Sequence, residues 1–271
     1  MSQTTKQILT NPESFIDNLN DCTEQILDIE FDARFEEWKA RGSDKQVRAS
    51  SLGTCIRQAY YSFNEQAERT PVSDPLARRR MYMGFINEEI MGKIINLMPG
   101  HTHGLDSEEQ NKFPIHVDLM NDEDIHCAAT TDFVKEYEDK DGGKYYIPIE
   151  LKSTDVYKWK EFTYWKYHLK QLLLWVYIAK QNGLNVPYAM LVYTRRSTMD
   201  MKFCVISVDT LYSKMGKVVE SYEHWFPFMD DLVNRLKWSI RNKQVPAMPT
   251  DVPQYICKTC PHLGKCMNNV D

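Results

Sequence analysis

A chain of 271 residues with 42% apolar and 12% aromatic residues is long enough to bury a sizeable core and too apolar to stay disordered. Its formal charge of −5 excludes a coat or packaging protein that holds nucleic acid through bulk positive charge; contact with nucleic acid would rest on local patches, or on a metal held by acidic side chains. No run of about 20 apolar residues offers a membrane span, and the opening "MSQTTKQILTNPESF" carries no apolar stretch fit for secretion. A cytoplasmic location is therefore expected, where the seven cysteines would serve as thiols or metal ligands rather than disulfides.

In chain order, residues 1–48 read as helical, with "DCTEQILDIEFDARFEEWKARG" the clearest helix and Gly42 its stop. "SSLGTCIRQAYYSF" reads as the next helix, capped by Ser50 or Ser51. After a polar loop, "RRRMYMGFINEEIMGKIINLM" places Met81, Phe85, Ile90, Met91, Ile94 and Met98 at helical spacing. "PGHTHGLDSEEQN" reads as a loop, and "FPIHVDL" and "IHCAATTDFVKEY" as strands. "EDKDGGK" is a turn, and "YYIPIELKST" the returning strand. "KWKEFTYWKYHLKQLLLWVYIAKQNG" predicts a long helix ending at Gly183. Two more strands, "YAMLVYTRR" and "MKFCVISV", precede a last long helix, "LYSKMGKVVESYEHWFPFMDDLVNRLKWSIRN". The order predicts an α/β fold, a mixed sheet with helices on its faces. The expected organisation is an N-terminal helical segment (1–48), a core (49–245), and a cysteine-rich C-terminal segment (246–271) packed on it.

"YIPIELKST" sets two charges into an apolar strand. Side chains alternate between faces, so Ile147, Ile149 and Leu151 share one face while Glu150 and Lys152 share the other. On the preceding strand Asp132 shares a face with Val134. A hairpin in register brings Asp132, Glu150 and Lys152 together, and a one-residue bulge would separate them. Two carboxylates suit Mg²⁺ or Mn²⁺, which prefer oxygen ligands. A bound metal polarises a phosphoryl oxygen and acidifies water, and a lysine stabilises charge developing on the phosphate. The trio thus points to metal-assisted phosphodiester hydrolysis. The competing reading is an ordinary Glu–Lys pair on a surface strand.

Near the C-terminus, "CKTCPHLGKC" spaces Cys257, Cys260 and Cys266 as C-x2-C-x5-C, a pattern that suits Zn²⁺ or an iron–sulfur cluster. The fourth ligand is either the local His262 or a distant cysteine, and Cys55 in "SSLGTCIRQAYY" is available. Cys22, Cys127 and Cys204 sit in no such pattern and read as core or surface thiols. "VYKWKEFTYWKYHLK" interleaves lysines, Lys158 and Lys166 among them, with Tyr157, Trp159, Tyr164, Trp165 and Tyr167, as single-strand binding grooves do. An amphipathic helix with aromatic core packing produces the same pattern. No G-x-x-x-x-G-K-[ST] is present, so no P-loop ATPase is expected.

Asp132 in "ATTDFV" followed by Glu150 and Lys152 in "IPIELK" resembles the PD-(D/E)xK nuclease superfamily. Gly84, Asn87 and Glu88 in "MGFINEE", with Gln171 and Trp175 in "KQLLLW", lie where its RecB-like exonucleases carry two further motifs. Asn87 stands where that family often has a metal-binding histidine, and Trp175 where it has a tyrosine. The S-x-x-x-C-x-R-x-x-Y-Y run around Cys55, with the distant C-x2-C-x5-C, is similar to the iron–sulfur nucleases of CRISPR adaptation and to AddB-type nuclease domains. The resemblance covers roughly residues 48–271 and implies a restriction-endonuclease-like sheet. It implies a [4Fe–4S] cluster on Cys55, Cys257, Cys260 and Cys266, with zinc the alternative. It implies Mg or Mn on Asp132, Glu150, the Leu151 carbonyl and Glu88, with Glu89 competing for the last place. Lys152 would act on the attacking water or the phosphate, Gln171 and Trp175 would position the strand, and Arg57, Lys158 and Trp159 would add contacts to nucleic acid. The implied activity is 5′→3′ exonuclease action on single-stranded DNA, with recombination or CRISPR-adaptation proteins as partners. Ring-forming homo-oligomers occur among similar nucleases. A DNA-end-binding subunit of little activity is the alternative.

Overall fold

Strand β6 (Lys144–Thr154) organises the fold. Its inner residues Pro148, Ile149 and Glu150 are buried, as is Thr154 at its end, while Lys144 at its start is exposed. The molecule is a computed structural model that describes residues 29, 32–33, 46–65, 75–103, 115–118, 126–156, 158–208, 218–258 and 260–268. The chain divides into two compact units, 1–43 with 69–85, and 44–68 with 86–271. The first contains few described residues. Ile29, Asp32 and Ala33 are helical in it, and most of the predicted 1–48 helix, with Cys22, lies outside the described residues. Residues 75–85, the start of the Pro75–Asn96 helix, belong to the first unit as well; the sheets, the sites and residues 246–271 belong to the second unit.

Six strands form a mixed sheet in the order β2 (His101–His103), β5 (Phe133–Glu138), β6, β7 (Tyr188–Arg195), β8 (Met201–Ser207), β9 (Val218–Ser221). A second sheet has β4 (His126–Ala129) between β1 (Gln46–Arg48) and β3 (Ile115–Asp118). Strands β5 and β6 pair antiparallel across a turn in which Gly142 has φ 80° and Asp139 accepts the Gly143 N–H. Strands β6 and β7 run parallel, which requires a crossover, and the Lys166–Gln181 helix supplies it.

Helix α1 (Ala49–Thr54) leads into α2 (Ile56–Glu65), α3 (Pro75–Asn96), the crossover helix α4 (Lys166–Gln181) and α5 (Tyr222–Asn242). Two short helices, α6 (Gln254–Lys258) and α7 (Leu263–Asn268), carry the C-terminal cysteines. Along α4, Leu169, Leu172, Leu173, Leu174, Val176, Ile178 and Ala179 have no exposed surface. A helix apolar on every side is one covered on every side, and α4 packs on β6 and β7 with α1 and α5 against it. The opposite sheet face buries Phe133, Ile149 and Val192 beneath Met91 and Ile95 of α3.

Several predicted elements change. The reading "IHCAATTDFVKEY" as one strand gives way to two, because the chain leaves one sheet after Ala129 and enters the other at Phe133. The "HTH" of the expected loop is edge strand β2, and "VVES", assigned to the last helix, is β9 beside β8. "QVR", assigned to the first helical segment, is β1. It leads straight into α1, so Arg48 rather than Ser50 or Ser51 occupies the N-cap. The crossover helix starts at Lys166, not near Lys158. Phe162 and Trp165 instead pack edge-on against Tyr193, whose hydroxyl accepts the Trp165 N–H. On α3 the buried stripe runs Asn87, Met91, Ile95, whereas Ile90 and Ile94 are exposed, as is Met98 just past the helix end, so periodicity located the helix and Met91 but not the rest of its inner face. Among the described residues no helix is long and apolar enough to cross a membrane.

Candidate active site and four-cysteine site

Asp132 stands at the point where the chain changes sheets. The β5–β6 register pairs Phe133 with Ile149 and Val134 with Pro148, so continuing it one step sets Asp132 opposite Glu150. No bulge intervenes, and the expected convergence occurs. The Leu151 N–H donates to Asp132 Oδ2 at 2.6 Å, anchoring the carboxylate to the backbone between Glu150 and Lys152. Thr131 bridges the two strands: its hydroxyl lies 2.9 Å from the Ile149 carbonyl and 3.2 Å from Glu150 Oε2. Glu150 is 9% exposed and Lys152 Nζ lies 2.5 Å from Glu150 Oε1. Being two residues apart on one strand places both on the same face.

The electrostatics are unbalanced. Burial pushes the Asp132 carboxyl well above the ordinary carboxylate range, and the charges of Glu150 and Glu88 push it further. Lys152 and the Leu151 N–H offset this only in part. Burial alone would depress the Lys152 ammonium, but Glu150, Asp132 and Glu88 outweigh it and hold the group above its usual value. Three carboxylates thus face one ammonium, and with all ionised the cluster carries two excess negative charges. Glu88 comes from α3, one position past the buried stripe, whereas Glu89 points outward to Lys93 at 2.9 Å. Of the two competing glutamates, Glu88 is the one that acts on the cluster.

Asn87 is 3% exposed, and neither its Oδ1 nor its Nδ2 has a hydrogen-bond partner among the described residues. A buried amide left unsatisfied is costly. It sits one turn before Met91, on the stripe that faces Phe133 and Ile149.

On the other side of β6, Lys152 pairs in register with Tyr193. The Tyr193 hydroxyl lies 2.8 Å from His168 Nδ1. Burial, then the nearby Lys152 ammonium, pushes the His168 imidazole down to about 2, so it stays neutral. One turn on, Gln171 donates to Thr54 Oγ1 at 3.0 Å and to the Ser50 carbonyl at 3.3 Å, tying α4 to α1. Three expected nucleic-acid contacts are corrected. Trp175 is 1% exposed and belongs to the core, and Trp159 is 8% exposed and stacked on Phe162, so neither presents a free ring to a strand. Arg57 is buried and reaches inward to the C-terminal segment. Lys158 does lie on the surface, beside Glu161.

The second site closes the C-terminal segment onto the core. Helices α1 and α2 are separated by a single extended residue, Cys55, at φ −158° and ψ 120°. This break sets the Cys55 thiol into a cavity lined also by Cys257, Cys260 and Cys266. Burial pushes the Cys55 and Cys260 thiols up, and each also feels neighbouring members of the set. Arg57 Nε donates to the Pro246 carbonyl at 2.7 Å, and its Nη1 to the Cys266 carbonyl at 3.0 Å and Sγ at 3.6 Å. His262 lines the same cavity, but its Nε2 lies 3.1 Å from Ser62 Oγ and its ring packs against Tyr61. As positioned, no three His, Cys, Asp or Glu side chains among the described residues crowd around one point as ligands of a single ion do. Cys127 and Cys204 are buried core residues.

No protein-family model matches the chain, and no curated protein does. Among solved structures, the crystal structure of SSO0001 is similar, with a TM-score of 0.50 and 13% identity over 91% of this chain and 98% of that one. At that identity the likeness is one of fold. The sequence reading missed Thr131, His168, Tyr193 and the break at Cys55. Only His168 left a signal, lying one turn before Gln171 in the quoted motif helix.

Proposed function

We propose that the protein is a metal-dependent deoxyribonuclease of the PD-(D/E)xK type, an exonuclease acting on single-stranded DNA, whose fold is stapled by a [4Fe–4S] cluster. The observation that carries the reading is the Asp132–Glu150–Lys152 convergence at the junction of the two sheets, with Glu88 brought in by α3. A cluster with excess negative charge favours a divalent cation. Two carboxylates with the Leu151 carbonyl fit Mg²⁺ or Mn²⁺, which need few protein ligands and keep several waters. When bound, such a cation supplies Lewis acidity toward a phosphoryl oxygen and an acidified water. The remaining work falls to the chain. Leu151 N–H and Thr131 hold the two carboxylates in place. Lys152, kept protonated by its neighbours, stabilises negative charge on the phosphate. Neutral His168 and Tyr193 wall the lysine from the α4 side.

The four thiols favour a cluster over zinc. A [4Fe–4S] cluster takes one thiolate per iron, so its ligands need not crowd around a single ion. His262, the alternative zinc ligand, is engaged by Ser62. Arg57 adds a cation beside Cys266, which suits an anionic centre. Because the set joins Cys55 to the far end of the chain, binding energy there counts as folding energy.

The test is cleavage of end-labelled single-stranded DNA with Mn²⁺ by anaerobically purified protein and its Lys152→Ala variant. The variant should bind DNA and lose cleavage by about 100-fold or more; undiminished cleavage would sink the mechanism. The labelled end reports polarity, expected to be 5′→3′. The second reading, a DNA-end-binding subunit of recombination or CRISPR adaptation with little hydrolysis, draws on Asn87, whose neutral amide is a poorer metal ligand than histidine. Iron and DNA binding without trimming would favour it.

A further inference from the structure

Trp159 and Trp165, which the sequence pattern marked for stacking, pack into the core, whereas another ring reaches solvent. Tyr255, on α6, is 55% exposed. Its hydroxyl donates to that of Tyr167 on α4 at 2.8 Å, and the two rings meet edge-on at 6.4 Å. Tyr167 lies parallel to Trp165, with 6.0 Å between centroids and 15° between planes, and packs on His168 at 4.2 Å. His168 binds the Tyr193 hydroxyl, and Tyr193 pairs in register with Lys152. The Tyr193 hydroxyl also feels both Glu150 and Tyr255. A continuous run of rings therefore leads from the Lys152–Glu150 pair outward to Tyr255. Exposed Lys166 flanks the run on α4, and Lys258 on α6.

We propose that Tyr255, held by Tyr167, is a stacking platform for an unpaired base of the substrate strand, and so selects single strands over duplex. The inference rests on the nuclease reading and names the substrate class of that site. A base in a duplex hides its faces in the stack, whereas an unpaired base offers one to a ring. The hydroxyl–hydroxyl bond removes ring freedom before the strand arrives, so less ordering is lost on binding. Tyr255 precedes Cys257 by two residues, which makes the four-cysteine segment the part of the chain that carries the platform to the α4 rings.

Binding is read by fluorescence anisotropy in chelator, where no cutting occurs. The ligands are a labelled oligothymidylate and a duplex of equal length, with iron and Tm measured on the same samples. Tyr255→Ala should weaken binding of the single strand about 5- to 30-fold and change duplex binding less than about two-fold. Tyr255→Phe, which keeps the ring, should stay closer to the parent than Tyr255→Ala. If Tyr255→Ala binds the single strand as the parent does, or loses both ligands equally with iron intact, the platform is refuted while the nuclease reading stands. If that variant loses iron or unfolds, photo-crosslinking of the unaltered protein to a 5-iodouridine oligonucleotide decides: adducts on Tyr255 or Tyr167 support the platform, and adducts only elsewhere overturn it. Failure of the unaltered protein to bind any DNA would remove the nuclease reading and the platform with it.

Discussion

Replacing Gly53 by alanine tests the close approach of α1 to α4, the contact that sets both Gln171 and the Cys55 thiol. A Cβ at Gly53 would fall 2.9 Å from the Gln171 backbone nitrogen, 3.0 Å from its Cα and 3.1 Å from its Cγ. Two of these are main-chain atoms of a helix buried on all sides, so they cannot swing away. Helix propensity favours the change by about 1 kcal/mol, and forced overpacking opposes it by roughly 1–3 kcal/mol. The stiffness of α4 places the clash at the upper end, leaving a net loss of about 1–2 kcal/mol, or roughly 2–8 °C in Tm. Gly264→Ala is the control, since nothing lies within 4 Å of its Cβ position; propensity alone acts there, and the change should be neutral or stabilising by up to about 1 kcal/mol. Thermal melts of both variants suffice. If Gly53→Ala proved as stable as Gly264→Ala, the α1–α4 approach would be looser than described, and the Gln171–Thr54 contact would lose its role in placing Cys55.

Asp132→Asn should raise the Tm of chelator-treated protein at neutral pH while abolishing cleavage. The folded-state pKa of Asp132 lies above its unfolded value, so this carboxyl makes folding less favourable as pH rises from about 4 through the folded pKa. Asparagine removes that penalty and still accepts the Leu151 N–H, and a variant melting lower than the parent at every pH would contradict the account. Cys55→Ala should lose iron and stability together, with activity falling only as a consequence; full iron content and an unchanged melt would rule out the four-cysteine ligand set. For Lys152→Ala, loss of cleavage should come without loss of single-strand binding, because the lysine acts on charge that develops during reaction.

Local rules carried much of the fold. Alternation placed Glu150 and Lys152 on one face, the Gly142–Gly143 pair marked the turn, and "KQLLLWVYIAKQNG" announced a long helix ending at Gly183. Spacing alone grouped Cys257, Cys260 and Cys266. These features are legible because each depends on residues a few positions apart, where strand, turn and helix geometry fix the relation.

Tertiary structure decided the rest. Whether Asp132 met Glu150 depended on hairpin register, which one bulge would have shifted, and on the chain changing sheets within Thr130–Asp132. The choice of Glu88 over Glu89 followed from which side of α3 the sheet covers, and Asn87 in the buried stripe concealed that side from hydropathy. The roles of Trp175 and Arg57 were set by burial against segments far away in sequence, which no local pattern records. Spacing left the fourth ligand open between His262 and a distant cysteine, and resemblance named Cys55; that Cys55 shares one cavity with three cysteines some 200 residues on is a matter of packing. Short-range chemistry is written residue by residue, whereas a site assembled across the chain exists only once the core that brings its parts together has formed.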